Sequence, residues 1–181
     1  MRTEVPFRLV GGDQPLIVVS ARFNGSEPID CALDTGASHA MLLPEVGARL
    51  GVKVEETREA KGAGGALTVQ IGRAESVALG EAVARDVSIL MSPDLQRIGA
   101  AIGLPLGGNL GHSFLGRFRL TVDYERQTLT LCTPEEPPDG GPARAELAIT
   151  LAHPAKPLIL LPIEVDGSRS SSRSTPAPRP P

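Results

Sequence analysis

Tryptophan is absent from this 181-residue chain, and aromatic residues make up only 3% of it. A chain of this length is long enough to bury a real core, which must therefore be built from Val, Leu, Ile and Ala. Only two cysteines are present, Cys31 and Cys132, too few for a disulfide framework or a thiolate metal cluster. Both read as small buried hydrophobes. The three histidines, His39, His112 and His153, are scattered without the spacing of zinc ligands. No metal and no cofactor is expected. No apolar run reaches the length of a membrane span, and residues 1–10 lack the apolar region of a signal peptide. As written the chain is expected in the cytoplasm; a leader upstream would make it secreted or periplasmic. The net charge is −3, with no block of like charge in its main body. That argues against a nucleic-acid footprint, which needs a clustered basic face.

What is present reads mainly as strands. Leu16–Phe23 and Ile29–Leu33 flank the turn dipeptide Asn24-Gly25 and predict a hairpin. Residues 43–50 predict a short helix stopped by Gly51. Residues 57–73 form two arms around the glycine-rich tip Gly62, Ala63, Gly64 and Gly65, and residues 77–79 and 83–91 predict further strands. A helix is predicted after Ser92 as N-cap and Pro93 as first helical residue, ending at Gly103, with Leu95, Ile98 and Ile102 on one face. Residues 118–124 and 128–131 predict a closing hairpin. Residues 134–146, rich in Pro, Gly and acid, read as a linker. The Ser, Arg and Pro composition of 168–181 predicts a disordered tail.

One internal repeat stands out. Residues 15–26 align without gaps on residues 157–168 at a constant offset of 142, ending in Asn24-Gly25-Ser26 and Asp166-Gly167-Ser168. At that offset the counterpart of Asp34 is Pro176, so the second copy starts and is lost before its acid. Residues 147–167 therefore read as the opening strands of a truncated second lobe, following a first lobe at 1–133.

The segment Asp34-Thr35-Gly36-Ala37-Ser38 follows the apolar run 29–33 and sets an acid at the mouth of a tight glycine turn. A carboxylate there is costly to desolvate, glycine allows a second backbone to approach, and the threonine hydroxyl can tie the turn down. Asp and Gly are also ordinary turn residues. With the glycine-rich hairpin, the pair Leu110-Gly111 before a short helix and the closing hairpin, in that order, the chain resembles the retropepsin-like aspartic protease family over residues 15–132. The helix before Gly103 is similar to that of bacterial members.

The resemblance implies an all-β, retropepsin-like acid protease half-barrel with one or two short helices. It implies Asp34 as the catalytic acid, with Thr35, Gly36, Ala37 and Ser38 in the active-site loop. Gly62, Ala63, Gly64 and Gly65 would form a substrate-binding flap, and Leu110 and Gly111 the second loop under the site. An extended peptide or protein is the implied substrate. With one acid per chain, a homodimer would be needed to complete the pair. Two other readings stay open: an inactive peptide-binding or dimerisation module, and a truncated product without stable function. The tripeptide Gly111-His112-Ser113 is similar to the start of a serine-hydrolase nucleophile elbow, but its closing glycine comes one residue late, at Gly116.

Overall fold

In the computed structural model, residues 1–62, 65–136, 147–153, 156–165 and 168–173 are described. Before the first hairpin, the chain forms strands β1 (Arg2–Pro6) and β2 (Arg8–Val10). These were missing from the sequence-based expectation, because three- and five-residue strands carry little periodicity. Strands β3 (Leu16–Phe23) and β4 (Ile29–Leu33) then pair antiparallel, Val18 opposite Ala32 and Ala21 opposite Ile29. Asn24 and Gly25 both take positive φ, 51° and 73°, the geometry that lets a hairpin turn follow the strand twist.

After β5 (Ala40–Leu42), helix α1 (Pro44–Arg49) ends against Gly51, where φ is +69°. Strands β6 (Lys53–Gly62), β7 (Gly65–Leu79) and β8 (Ala82–Met91) follow as a meander. Residues 77–79 are thus not a separate strand: β7 runs unbroken, because β6 holds its first half and β8 its second. Helix α2 (Asp94–Ile102) begins one residue later than expected. The N-cap position falls on Pro93 rather than on Ser92, whose Oγ accepts the Asp94 N–H at 3.2 Å from one residue further out. On α2 the buried positions are Leu95 and Gly99, while Ile98 is 37% exposed. The i, i+4 spacing wins over i, i+3 because a Cβ at Gly99 would lie 2.7 Å from the Leu104 carbonyl oxygen, so the following loop packs on that glycine. Strand β9 (Gly108–Leu110), helix α3 (His112–Leu115) and the hairpin β10 (Arg119–Asp123) with β11 (Thr128–Cys132) complete the main body. Among the described residues there are three short helices, where one or two were expected.

Eight strands join in the order β2-β3-β4-β9-β5-β8-β7-β6. A further pairing of β3 with β7, Arg22 opposite Ala78 and Phe23 opposite Val77, closes six of them into a barrel. The fold is all-β, as expected, and the barrel is closed. Phe23, Leu42, Val77, Ile89, Leu110 and Phe114 are fully buried in its interior: the core is mainly aliphatic, as expected, but two phenylalanines are its largest fully buried side chains. Strands β1, β11 and β10 form a separate three-stranded sheet in that order.

Strands β12 (Thr150–His153), β13 (Lys156–Val165) and β14 (Ser168–Arg173) form a third sheet. Residues 168–173, expected to be disordered, are therefore strand: pairing with β13 is made by the backbone, so a Ser/Arg composition does not forbid it. Most of the expected linker, residues 137–146, and the end of the tail, residues 174–181, lie outside the described residues.

Candidate active site

Strand alternation places Cys31 and Leu33 toward the barrel interior, so Ala32 and Asp34 share the opposite face. The Asp34 N–H donates to the Leu110 carbonyl at 3.0 Å, continuing the parallel β4–β9 ladder in which Leu33 lies opposite Leu110. The chain then turns at once. Ala37 N–H donates to the Asp34 carbonyl at 3.2 Å, and Gly36 N–H donates to Asp34 Oδ1 at 2.9 Å. The half-buried carboxylate accepts no other hydrogen bond among the described residues. Thr35 is exposed at the tip, and its hydroxyl has no partner among the described residues.

A second segment crosses beneath this turn. His112 N–H donates to the Ala37 carbonyl at 2.8 Å and Ser113 N–H to the Ser38 carbonyl at 3.1 Å. The crossing requires Gly111: a Cβ there would sit 2.2 Å from the His39 carbonyl oxygen and 2.9 Å from that of Ala37. The Asp34 loop and the Leu110-Gly111 pair, read separately in the sequence, are thus brought together.

Sequence reasoning missed the part played by Ser113. Its Oγ accepts the Ala40 N–H and donates to the Ser88 carbonyl, both at 2.8 Å. It thereby ties the loop after Asp34 to α3 and β8. Its proton is committed to a carbonyl, which removes it as a nucleophile. Nothing in the sequence marks this bond, because its partners lie 73 and 25 residues away. Removing the hydroxyl would leave a part-buried N–H and carbonyl unpaired. Ser113→Ala is expected to cost about 1–3 kcal/mol, read as a lower urea midpoint at unchanged slope.

Asn109 was also missed. It lies opposite Ala32 in β4 and Met41 in β5, on the Asp34 side of the sheet. It is 2% exposed, and its Oδ1 has no hydrogen-bond partner among the described residues. Leu95 of α2 and Leu106 pack with Ala32 and Val18 over the same face, so α2 walls one side of the ground beside Asp34. Beneath it, Cys31 is fully buried. Desolvation, reinforced by the charge of Asp30, pushes its thiol well above the ordinary range. Cys31 is therefore expected to resist iodoacetamide in the native protein and to react only as fast as the protein unfolds, as mass spectrometry would show.

The glycine-rich tip belongs to a long arm. Strands β6 and β7 pair from Lys53 opposite Arg73 to Gly62 opposite Gly65, whereas pairing of β7 with β8 stops at Gln70 opposite Met91. The outer part of the arm therefore runs beyond the barrel with two strands only. Ala63 and Gly64 lie outside the described residues, and no hydrogen bond among the described residues joins the arm to the Asp34 turn.

A family model described as aspartyl protease matches residues 19–116, more than half of the chain, from β3 to the end of α3. Among solved structures, the chain is similar to a retropepsin-like aspartic protease from Rickettsia conorii, with a TM-score of 0.50 and 21% identity over 72% of this chain and 91% of that one. Comparison with curated proteins finds no match.

Proposed function

Because this chain belongs to the aspartyl protease family, we propose that it is one lobe of an aspartic endopeptidase in which Asp34 of two identical chains meets across a twofold axis. The observation that carries the reading is the site's one-sidedness. A carboxylate held by Gly36 N–H, beside a Thr35 hydroxyl that has no partner among the described residues, stands at the exposed tip of a turn braced from behind. A second copy of the same tip would supply both the missing acid and a partner for Thr35.

The chemistry follows from placing two carboxyl groups side by side. Both cannot ionise cheaply, so the pair shares one proton. The ionised member takes a proton from a water whose oxygen attacks the scissile carbonyl carbon, while the protonated member donates to the carbonyl oxygen. Thr35 would lock the paired turns through its hydroxyl, and Gly36 would hold one carboxylate oxygen. Ala37 and Ser38 would floor the site, with Leu110 and Gly111 supporting it from below. An extended peptide would lie along the arm carrying Gly62, Ala63, Gly64 and Gly65, adding strand-like hydrogen bonds as the arm folds over it.

The test is kinetic order. With a fluorogenic peptide library at mildly acidic pH, the initial rate should rise as the square of protein concentration while the chain is mostly monomeric. A first-power dependence throughout would refute the shared site. Capture of extended peptides without cleavage would favour a binding module instead.

A further inference from the structure

We infer that residues 147–151 are an uncovered copy of part of this lobe's own first strands, and that the outer edge of β10 in a second copy of this chain covers them. The repeat is longer than its core suggests. At the same offset of 142, Arg2, Glu4 and Leu9 recur as Arg144, Glu146 and Leu151, while Val5 and Phe7 become Leu147 and Ile149. The pairing repeats as well. Arg8 opposite Val18 and Leu9 opposite Ile17 in β2–β3 become Thr150 opposite Leu160 and Leu151 opposite Ile159 in β12–β13. Agreement of register requires both strands of the pair to keep the same phase, which chance likeness of one apolar strand does not supply.

The two copies differ in what lies on them. Val5 and Phe7 are buried. Val5 sits opposite Leu129 of β11, Phe7 N–H donates to the Gln127 carbonyl at 2.9 Å, and the Phe7 ring meets Tyr124 edge-on. Their counterparts Leu147 and Ile149 are 70% and 52% exposed on an unpaired stretch leading into β12. With the exposed Leu151 they form a one-sided apolar row at alternate positions.

The covering that this row calls for is therefore a hairpin like β10–β11. Among the described residues the edge of β11 is taken by β1, and the outer edge of β10 pairs with no strand. Leu120-Thr121-Val122 of β10 repeats the alternation of Leu129-Thr130-Leu131 in β11, so its edge offers the same kind of neighbour. Two chains can satisfy each other reciprocally, each giving one strand and receiving one, an isologous arrangement that closes on itself. The contact goes beyond the shared-site reading and does not rest on it. It would raise the effective concentration of the partner wherever a second contact is also made.

Sedimentation of the full chain tests this. The double variant Leu147→Asp/Ile149→Asp should raise the dimer dissociation constant by roughly tenfold or more. Below the dimer dissociation constant its melting temperature should match the wild type, since both side chains are exposed in the single chain. Asp34→Asn should leave association unchanged. Mixing an Ala148→Cys chain with a Thr121→Cys chain should give a disulfide-linked heterodimer, both residues being exposed and lying on the face opposite the apolar row, while the native cysteines are buried. An unchanged dissociation constant in the double variant, or no cross-link, would overturn the inference whatever the activity. A chain that associates through this strand yet cleaves no peptide would uphold it while sinking the peptidase reading.

Discussion

Asp34→Asn should reduce peptide hydrolysis by on the order of 10³-fold or more, the range expected when the general acid and base are removed together. In a twofold site both carboxyl groups change at once, so no proton-sharing pair remains to activate water. The fold should be untouched, because Asn keeps an oxygen to accept the Gly36 N–H that Asp34 Oδ1 accepts now. Melting temperature should therefore match the wild type. A mixing experiment makes the expectation sharper. Wild-type chain titrated with excess Asp34→Asn chain should lose activity as heterodimers form, since each carries a single carboxyl. If activity instead stays proportional to the wild-type chain present, each chain works alone and the shared site is wrong.

The second large effect concerns stability rather than chemistry. Gly111→Ala should destabilise the lobe by about 3 kcal/mol or more, the upper range for overpacking, which corresponds to roughly 6–12 °C in melting temperature for a chain of this size. Gly111 has φ of −101° and ψ of −171°, extended geometry open to any residue, so the cost is purely one of space. The atoms in the way are the backbone of His39 and the carbonyl of Ala37. The Asp34 loop must retreat, which lengthens the bonds from His112 and Ser113 that position it. Gly12→Ala is the control: a Cβ there meets nothing within 4 Å, and it should melt with the wild type. Equal melting of both variants would show that the two loops do not cross as closely as described.

Much of the barrel was legible along the chain. The β3–β4 hairpin follows from Asn24-Gly25 between two apolar runs, and α1 from Pro44 and Gly51, because turns and caps are set by residues adjacent in sequence. The Asp34 turn is local for the same reason: its two internal hydrogen bonds span two and three residues. The arm tipped by Gly62 and Gly65 was visible as two runs about a glycine cluster, but its continuity with residues 77–79 was not. That depends on β8 and β3 lying alongside β7. Ile98 was misplaced because helical spacing alone offers two adjacent faces, and the contact of Gly99 with the 104–106 segment chooses between them.

Residue order by itself determined where the acid sits, which glycines surround it and that the core is mainly aliphatic, since each depends on chemistry within a few neighbours. Tertiary structure alone decided that Gly111 passes under Ala37, that the Ser113 hydroxyl takes the Ala40 N–H and that Asn109 is shut in beside Ala32. These are meetings of segments some 70 residues apart. Only a closed barrel, in which β9 slides between β4 and β5, brings such distant backbone groups within hydrogen-bonding reach.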